Sequence, residues 1–148
     1  MPRELLILRH AKSAWDTGAP SDFERPLAPR GREAAPRVGR WLAAQGLVPD
    51  YVVSSPAERA RQTVEAVCAE LGIGTADIQW DRRIYGGWSR TLIDVLRDSP
   101  EHAGRVLIAG HNPGLEDLLE SLCRKRIATP PDGKLMPTAA LSMIFRSF

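Results

Sequence analysis

Two arginines and two histidines of this sequence follow short apolar runs, at the points where strands would end and loops begin. Arg9 and His10 follow the first run, Arg59 the second and His111 a third. An arginine guanidinium is a fixed cation whose planar fork suits phosphate oxygens. A histidine, whose ordinary pKa is about 6.5, is neutral in a useful fraction at pH 7 and can attack phosphorus. Together these residue types at strand ends indicate a functional site that can bind an anion.

The runs that would position these residues are apolar at every position, as is typical of parallel strands buried on both faces. They cover 5–8, 51–53 and 106–109, with "IQW" near Ile78 as a fourth. Helical patterns lie between and after them, at 32–46, 56–72, 90–99 and 113–123. Pro36, inside the first helical pattern, predicts a kink or a late start.

The order of these elements predicts the fold class. The C-terminal stretch at 139–148 alternates enough for one more strand, and 129–138 is expected to be a loop. We therefore expect an α/β fold, a three-layer α-β-α sandwich whose mostly parallel central sheet has an antiparallel edge strand. In such open sheets, ligands bind beyond the carboxyl ends of the strands, where Arg9 and His10 fall.

The second strand end is followed by helix-start signals. Ser55 is a candidate N-cap, Pro56 the first helical residue, and Glu58 would complete a capping box. Arg59 then lies in the first turn, where its side chain leans back toward the strand end. A cation there opposes the helix dipole, and such a broken local rule tends to mark function.

The third strand end repeats this arrangement, because Asn112 can cap and Pro113 can start a helix directly after His111. We take His10, Arg9, Arg59 and His111 as the catalytic candidates. Ser13 and Asn112 are added to the two arginines as substrate-binding candidates.

Each of these residues also fits an ordinary structural role when it is taken alone. Arg9 could be a solvated arginine at a strand end, Arg59 a surface helix residue, and either histidine a hydrogen-bonded structural group. Two histidines and two arginines at the ends of three separate strands favour the functional interpretation. The third histidine, His102, lies between elements and is expected on the surface.

Composition limits the class of protein. The 148 residues, 43% hydrophobic, suit one domain spanning 1–148. With 20 Lys+Arg against 18 Asp+Glu, scattered along the chain, we expect no nucleic-acid or membrane partner. Arg9 and His10 interrupt the N-terminal apolar run too early for a signal peptide or membrane span, which favours a cytoplasmic protein. Cys68 and Cys123 lack CxxC spacing and are expected to be reduced core thiols.

Three segments carry a resemblance to a known family. "LLILRHAKSAWD", "SSPAERARQT" and "GHNPGLEDLL" resemble the histidine phosphatase superfamily, whose hallmark is an Arg-His pair at the end of the first strand. The "AKS" after that pair and the following "SDFERPLAPRGREAAPRVGRWL" are similar to short bacterial SixA-type phosphohistidine phosphatases. The resemblance implies a phosphohistidine intermediate on His10, a pocket formed by Arg9, Arg59 and His111, and no metal or other cofactor.

The segment "WDRRIYGGW" departs from the mutase branch of that family. Where those enzymes place a general-acid Glu before a Tyr-Gly-Gly-like turn, this chain has Arg82, and Asp81 next to it is a doubtful substitute. The conjugate acid of an alkoxide leaving group has a pKa of ~15.7, like that of water, so this leaving group needs a proton donor. An imidazole, with a pKa of about 6.5, needs far less help. The missing acid therefore favours a phosphoramidate substrate such as phosphohistidine and disfavours a mutase.

Site access points to a protein substrate. Between Gly86 and Gly104 there is room for one helix, so we expect no helical cap and a site open to a protein side chain. The predicted activity is hydrolysis of phosphohistidine on a protein, for example a histidine phosphotransfer or phosphotransferase-system carrier, with release of phosphate. A promiscuous phosphatase of small phosphoesters is the alternative. A binding module without turnover would lack the nucleophile or the clamp, and neither is missing.

Overall fold

The computed structural model describes residues 3–123 and 136–146, which form a five-stranded sheet in the order β3-β2-β4-β1-β5. The strands are β1 (Arg3–Arg9), β2 (Tyr51–Ser54), β3 (Ile78–Trp80), β4 (Arg105–Gly110) and β5 (Leu141–Arg146). Strands β1 to β4 are parallel, and β5 pairs antiparallel with β1 at one edge. The predicted α/β fold with an antiparallel edge strand is confirmed.

Within the described part of the chain, four α-helices cover the two faces of this sheet: α1 (Pro29–Ala44), α2 (Glu58–Glu70), α3 (Ser89–Arg97) and α4 (Gly114–Cys123). Alternate side chains of β1 enter different cores. Leu5 and Ile7 pack with residues of α3 and α4, whereas Leu6 and Leu8 pack with residues of α1 and α2. Burial on both faces explains why residues 5–8 of this strand are all apolar.

The start of α1 differs from the expectation. The helix begins at Pro29, continues through Pro36, and so contradicts the predicted late start. Proline suits the first helical position, where its missing N–H has no partner to lose. Gly31 fixes this first turn against the loop after β1, because a Cβ at that position would lie 2.2 Å from the backbone oxygen of Lys12.

The starts of α2 and α4 were also wrongly predicted. Ala57 caps α2 and Glu58 is its first residue, because the chain stays extended after β2 and the Ser55 N–H donates to the Ala109 oxygen. Helix α4 begins at Gly114, and the Asn112 side chain donates to the Met136 oxygen instead of capping the helix. Both corrections leave the strand-end residues free to line a site.

The remaining elements agree with the expectations in part. Cys68 is buried, and burial raises the pKa of its thiol to about 12, but Cys123 is exposed and is not a core thiol. His102 is on the surface as expected. The predicted loop at 129–138 lies mostly outside the described residues. None of the helices in the described part of the chain has the length and apolarity needed to cross a bilayer.

Candidate active site

The carboxyl ends of β2, β4 and β1 are neighbours in the sheet, and the residues that follow them meet. The ring centroids of His10, after β1, and His111, after β4, are 5.2 Å apart. The charges of Arg9 and Arg59 both act on the two histidine rings. The structure thus brings all four catalytic candidates to one place.

His10 is held in an orientation suited to a nucleophile. It is 6% exposed, and its Nδ1 lies 2.7 Å from the Ala11 oxygen. A carbonyl oxygen only accepts, so Nδ1 carries the proton and Nε2 keeps a free lone pair. The Ala11 N–H donates to Thr63 Oγ1 at 2.9 Å, and that hydroxyl donates to the Arg59 oxygen at 2.7 Å. The nucleophile's loop is therefore tied to the turn of α2 that carries Arg59.

Both histidines are kept neutral by their surroundings. Burial, together with the charges of the nearby arginines, lowers the pKa of His10 to about 4. Burial, followed by His10 and Arg59, lowers the pKa of His111 to about 3. Removing an imidazolium from water and placing it beside a fixed cation both disfavour the charged form. His10 is thus a neutral imidazole near neutral pH, with the free Nε2 lone pair that a nucleophile needs.

His111 is oriented by Ser55, a partner that sequence reasoning assigned to helix capping. His111 Nε2 lies 2.7 Å from Ser55 Oγ, which accepts the Ala57 N–H at 3.2 Å. The Ser55 hydroxyl can donate to Nε2, and in that tautomer the proton of the neutral ring is on Nδ1. His111 then donates to an anion without carrying a positive charge. The signal for this contact was the adjacency of β2 and β4, since Ser55 and His111 follow neighbouring strand ends.

Three buried nitrogens at this site have no hydrogen-bond partner among the described residues: Arg9 Nε, Arg59 Nε and His111 Nδ1. An unpaired buried donor costs about 1–3 kcal/mol, and more when the group is charged. Buried donors are therefore normally paired, and unpaired ones need an explanation. Three such donors around a neutral histidine fit an anion with several oxygens, such as a phosphoryl group.

Residues 5–121 match the model of the histidine phosphatase superfamily (branch 1). The chain belongs to this superfamily.

Individual relatives of this superfamily agree with the match. An uncharacterized protein of Mycobacterium tuberculosis is 40% identical over 106 residues, 72% of this chain but 63% of that protein's length. The phosphohistidine phosphatase SixA of Escherichia coli is 29% identical over 143 residues, 95% of this chain and 84% of its own length. The crystal structure of a putative SixA from Agrobacterium tumefaciens has a TM-score of 0.82 at 30% identity, and the match covers 97% of this chain and 90% of that one.

Ser13 and Asn112, the two further binding candidates, both lie beside arginines. The Ser13 hydroxyl accepts a hydrogen bond from Arg25. Asn112 Nδ2 and Arg9 Nη1 both donate to the Met136 oxygen, at 2.6 and 3.0 Å. Asn112 and Arg9 are therefore both anchored to the backbone at Met136.

Asp22 is a site residue that sequence reasoning missed. Arg59 Nη1 donates to its backbone oxygen at 2.7 Å, and Arg59 Nη2 donates to its Oδ2 at 3.0 Å. The Tyr85 hydroxyl donates to the same Oδ2 at 2.7 Å, and Arg25 Nη2 donates to Oδ1 at 3.1 Å. Hydrogen bonds from Tyr85 first, then from the arginines, lower the pKa of Asp22 to about 2. The carboxylate is thus charged near neutral pH at the rim of the site.

Aromatic contacts connect this rim to the histidines. The ring of Tyr85 packs edge-on against His111, with centroids 5.5 Å apart, and against Phe23 at 5.1 Å. The guanidinium of Arg82 lies over Phe23, 4.4 Å from its ring centroid. The short 3-10 turn Asp22–Glu24 is therefore packed against the site's mouth.

Asp81, the doubtful general acid of the sequence analysis, has the contacts of a capping residue. Its carboxylate accepts the Arg83 N–H at 3.0 Å and pairs with the Arg83 guanidinium at 2.7 Å. Arg83 also pairs with Asp98 at 2.6 Å. The hydrogen bond from Arg83 lowers the pKa of Asp81, so this carboxyl is poorly suited to donate a proton.

Proposed function

We propose that this protein is a phosphatase that hydrolyses phosphohistidine on a protein, with His10 as the transient phosphoryl acceptor. The observation that carries the proposal is the group of three unpartnered buried donors around the neutral His10. Phosphoryl transfer depends on positioning and on stabilisation of charge on the non-bridging oxygens. Donors held in place before the substrate arrives supply both.

The proposed reaction has two steps. In the first, the Nε2 lone pair of His10 forms a bond to phosphorus, the substrate's P–N bond breaks, and its electron pair stays on the departing imidazole. In the second, water attacks phosphorus, the bond to His10 breaks, and inorganic phosphate leaves with the oxygen and protons of that water. Arg9, Arg59 and His111 Nδ1–H stabilise the phosphoryl oxygens in both steps.

The leaving group supports a phosphoramidate as the substrate. Arg82 stands where an ester-cleaving relative would need an acid, and Asp81 is engaged by Arg83. Without a proton donor, a P–N bond is easier to break than a bond to an alkoxide. The name of the Escherichia coli relative, phosphohistidine phosphatase, agrees with this substrate class.

Site access supports a protein as the carrier of that phosphohistidine. Between Gly86 and Gly104 the chain forms one helix, α3, which packs into the core through Leu92, Val95 and Leu96. Because residues 86–104 contribute no helical cap, the site can admit a side chain from another protein. A histidine phosphotransfer domain or a phosphotransferase-system carrier is the partner we propose.

A metal has no part in the proposed reaction. In residues 3–123 and 136–146, no group of three or more His, Cys, Asp or Glu side chains is arranged to hold an ion. We expect turnover to survive a chelator. Full loss of activity in EDTA, restored by a divalent ion, would contradict the proposed mechanism.

The test is a side-by-side assay of a phosphohistidine protein, free phosphohistidine, an aryl phosphate and a sugar phosphate. We expect the phosphohistidine protein to be turned over with the highest kcat/KM. Equal or better turnover of the two esters would identify a promiscuous phosphomonoesterase instead. Binding without release of phosphate from any of the four would identify a binding module. Quenched protein should carry an acid-labile, base-stable phosphoryl group on His10.

A further inference from the structure

Asp22 is a charged carboxylate at the mouth of a site that binds an anion, and phosphate binding alone does not explain its presence. A carboxylate repels a phosphoryl group. Arg59 Nη1 donates to the backbone oxygen of Asp22, and Arg59 Nη2 donates to its carboxylate. The Arg59 Nε remains unpartnered and buried. One guanidinium thus joins the anion site to the Asp22 carboxylate.

The position of Asp22 matches the place of the leaving group. In an in-line displacement, the leaving group lies opposite the nucleophile. The nucleophile, His10, is 6% exposed at the floor of the site, so the leaving group must point toward solvent. The Asp22 side chain is 50% exposed, and Tyr85, which donates to it, packs against His111. The carboxylate therefore lies on the side from which the leaving group departs.

We infer that Asp22 is a specificity-determining residue, whose carboxylate accepts a hydrogen bond from the remote ring nitrogen of the phosphohistidine being cleaved. The inference rests on the proposed function and adds the means by which the site prefers P–N to P–O bonds.

The chemistry of the leaving imidazole explains the need for such a carboxylate. When His10 Nε2 bonds to phosphorus, the substrate's P–N electron pair returns to the substrate nitrogen. If the remote ring nitrogen carries a proton, the ring leaves as neutral imidazole; without that proton, it leaves as an anion. The proton is taken from water before cleavage and stays on the ring. A neighbouring carboxylate favours the protonated ring by charge and by hydrogen bonding.

A phosphate ester has the opposite requirement. Its oxygen leaving group gains negative charge as the P–O bond breaks and offers no N–H to a carboxylate. A charged Asp22 therefore disfavours ester cleavage by like-charge repulsion. The hydrogen bonds from Tyr85, Arg25 and Arg59 keep Asp22 charged, so the same group selects for one substrate class and against the other.

The test uses Asp22→Asn, which keeps the shape of the side chain and removes its charge. We measure kcat/KM for free phosphohistidine and for p-nitrophenyl phosphate. A hydrogen bond to a charged group supports an expected loss on the order of 10–100-fold for phosphohistidine, with the ester rate unchanged or higher. Glu24→Gln is the matched control, because it removes a charge from the same turn and its carboxylate accepts from Ser21. This control should leave both rates within a few-fold of wild type.

A second measurement distinguishes substrate selection by Asp22 from a role in which Asp22 only positions Arg59. Inorganic phosphate carries no leaving group, so its inhibition constant should not rise in Asp22→Asn. Parallel loss of both substrates together with weaker phosphate inhibition would overturn the inference, since Asp22 would then only position Arg59. An unchanged ratio of the two rates would also overturn it. Failure of the wild-type protein to hydrolyse phosphohistidine would instead overturn the proposed function.

Discussion

The floor and the mouth of the candidate site are built on opposite principles. The floor holds two neutral histidines and three buried donors without partners. The mouth holds Asp22, whose carboxylate is bonded by Arg59, Arg25 and Tyr85. Unpaired donors buried away from water are costly, and a bound anion would pair them. The Asp22 carboxylate, by contrast, is already paired and is half exposed. We therefore expect changes in the floor to affect the rate, and changes in the mouth to affect substrate choice.

The largest expected effect is that of His10→Ala. Removing the nucleophile should abolish turnover of every substrate, because no covalent intermediate can form. The fold should survive, since the side chain lies beyond the end of β1. Phosphoryl trapping and thermal unfolding measure the two outcomes. His102→Ala, a change at an exposed histidine, is the control and should keep wild-type activity. A trapped phosphoryl group in His10→Ala would place the nucleophile elsewhere.

The next largest effect is expected for Arg59, whose guanidinium donates to Asp22 at the mouth and has its unpartnered Nε at the floor. Loss of one electrostatic donor typically costs on the order of 10²–10³ in kcat, which we expect for Arg59→Ala. Arg59→Lys keeps the charge without the fork and should recover only part of this. Steady-state kinetics on phosphohistidine measure the loss.

Arg61 is the internal control for Arg59. It lies two positions further along α2 and pairs with Glu58 and Glu65 on the outer face. Arg61→Ala should stay within a few-fold of wild type. An essential Arg61 with a dispensable Arg59 would contradict the placement of the floor.

A smaller effect is expected for Ser55→Ala, which removes the partner of His111 Nε2. Without the Ser55 hydroxyl, the proton of the neutral ring can move to Nε2, and the donor at Nδ1 is lost from part of the population. We expect kcat to fall about 10-fold, less than the loss of a whole donor. Nitrogen NMR of the His111 ring should show the change of tautomer. Wild-type kcat together with the altered tautomer would remove His111 Nδ1–H from the mechanism.

The pH dependence of stability distinguishes the two regions without substrate. The histidine pKa values are near 4 and 3 in the folded chain, below their ordinary value of 6.5. Between these values the unfolded chain binds more protons, so the free energy of unfolding falls as pH drops from about 6.5 toward 4. Asp22, with a pKa of about 2, loses its contribution only below about 3.8.

Denaturant unfolding across this range tests the assignment. Each neutral histidine contributes a slope of at most about 1.4 kcal/mol per pH unit. His10→Gln should flatten the slope between pH 6.5 and 4, and Asp22→Asn should flatten it only below pH 4. A His10→Gln slope equal to that of wild type would mean that His10 is not held neutral by its burial.

The floor could be predicted from sequence because its residues follow adjacent parallel strands. Sheet geometry alone brings the ends of β1 and β4 together, and Arg9, His10 and His111 with them. Helix direction then places Arg59 at the same edge. The starts of α2 and α4 were missed because capping patterns describe local preferences, whereas Ser55 and Asn112 have tertiary partners, His111 and Met136.

The mouth could not be predicted in this way. Asp22 contacts Arg59 and Tyr85, which are 37 and 63 residues away in sequence, and no local periodicity encodes such contacts. The segment "SDFERPL" was used only as part of a family resemblance, without a chemical role for its aspartate. Loops over a sheet edge are positioned by long-range polar contacts, which a single sequence does not reveal.

The smallest expected effect is that of Tyr85→Phe, which tests whether the mouth works through the charge of Asp22 or through its complete hydrogen-bond network. The hydroxyl is the largest cause of the low Asp22 pKa, so its removal should raise that pKa, visible in the NMR titration of the carboxyl carbon. Arg25 and Arg59 still hold the carboxylate charged at neutral pH. We therefore expect only a few-fold loss for phosphohistidine and an almost unchanged preference over the ester. Tyr51→Phe, at the opposite end of β2, is the control and should leave both quantities unchanged. A preference as low as that of Asp22→Asn would show that the tyrosine itself contacts the leaving group.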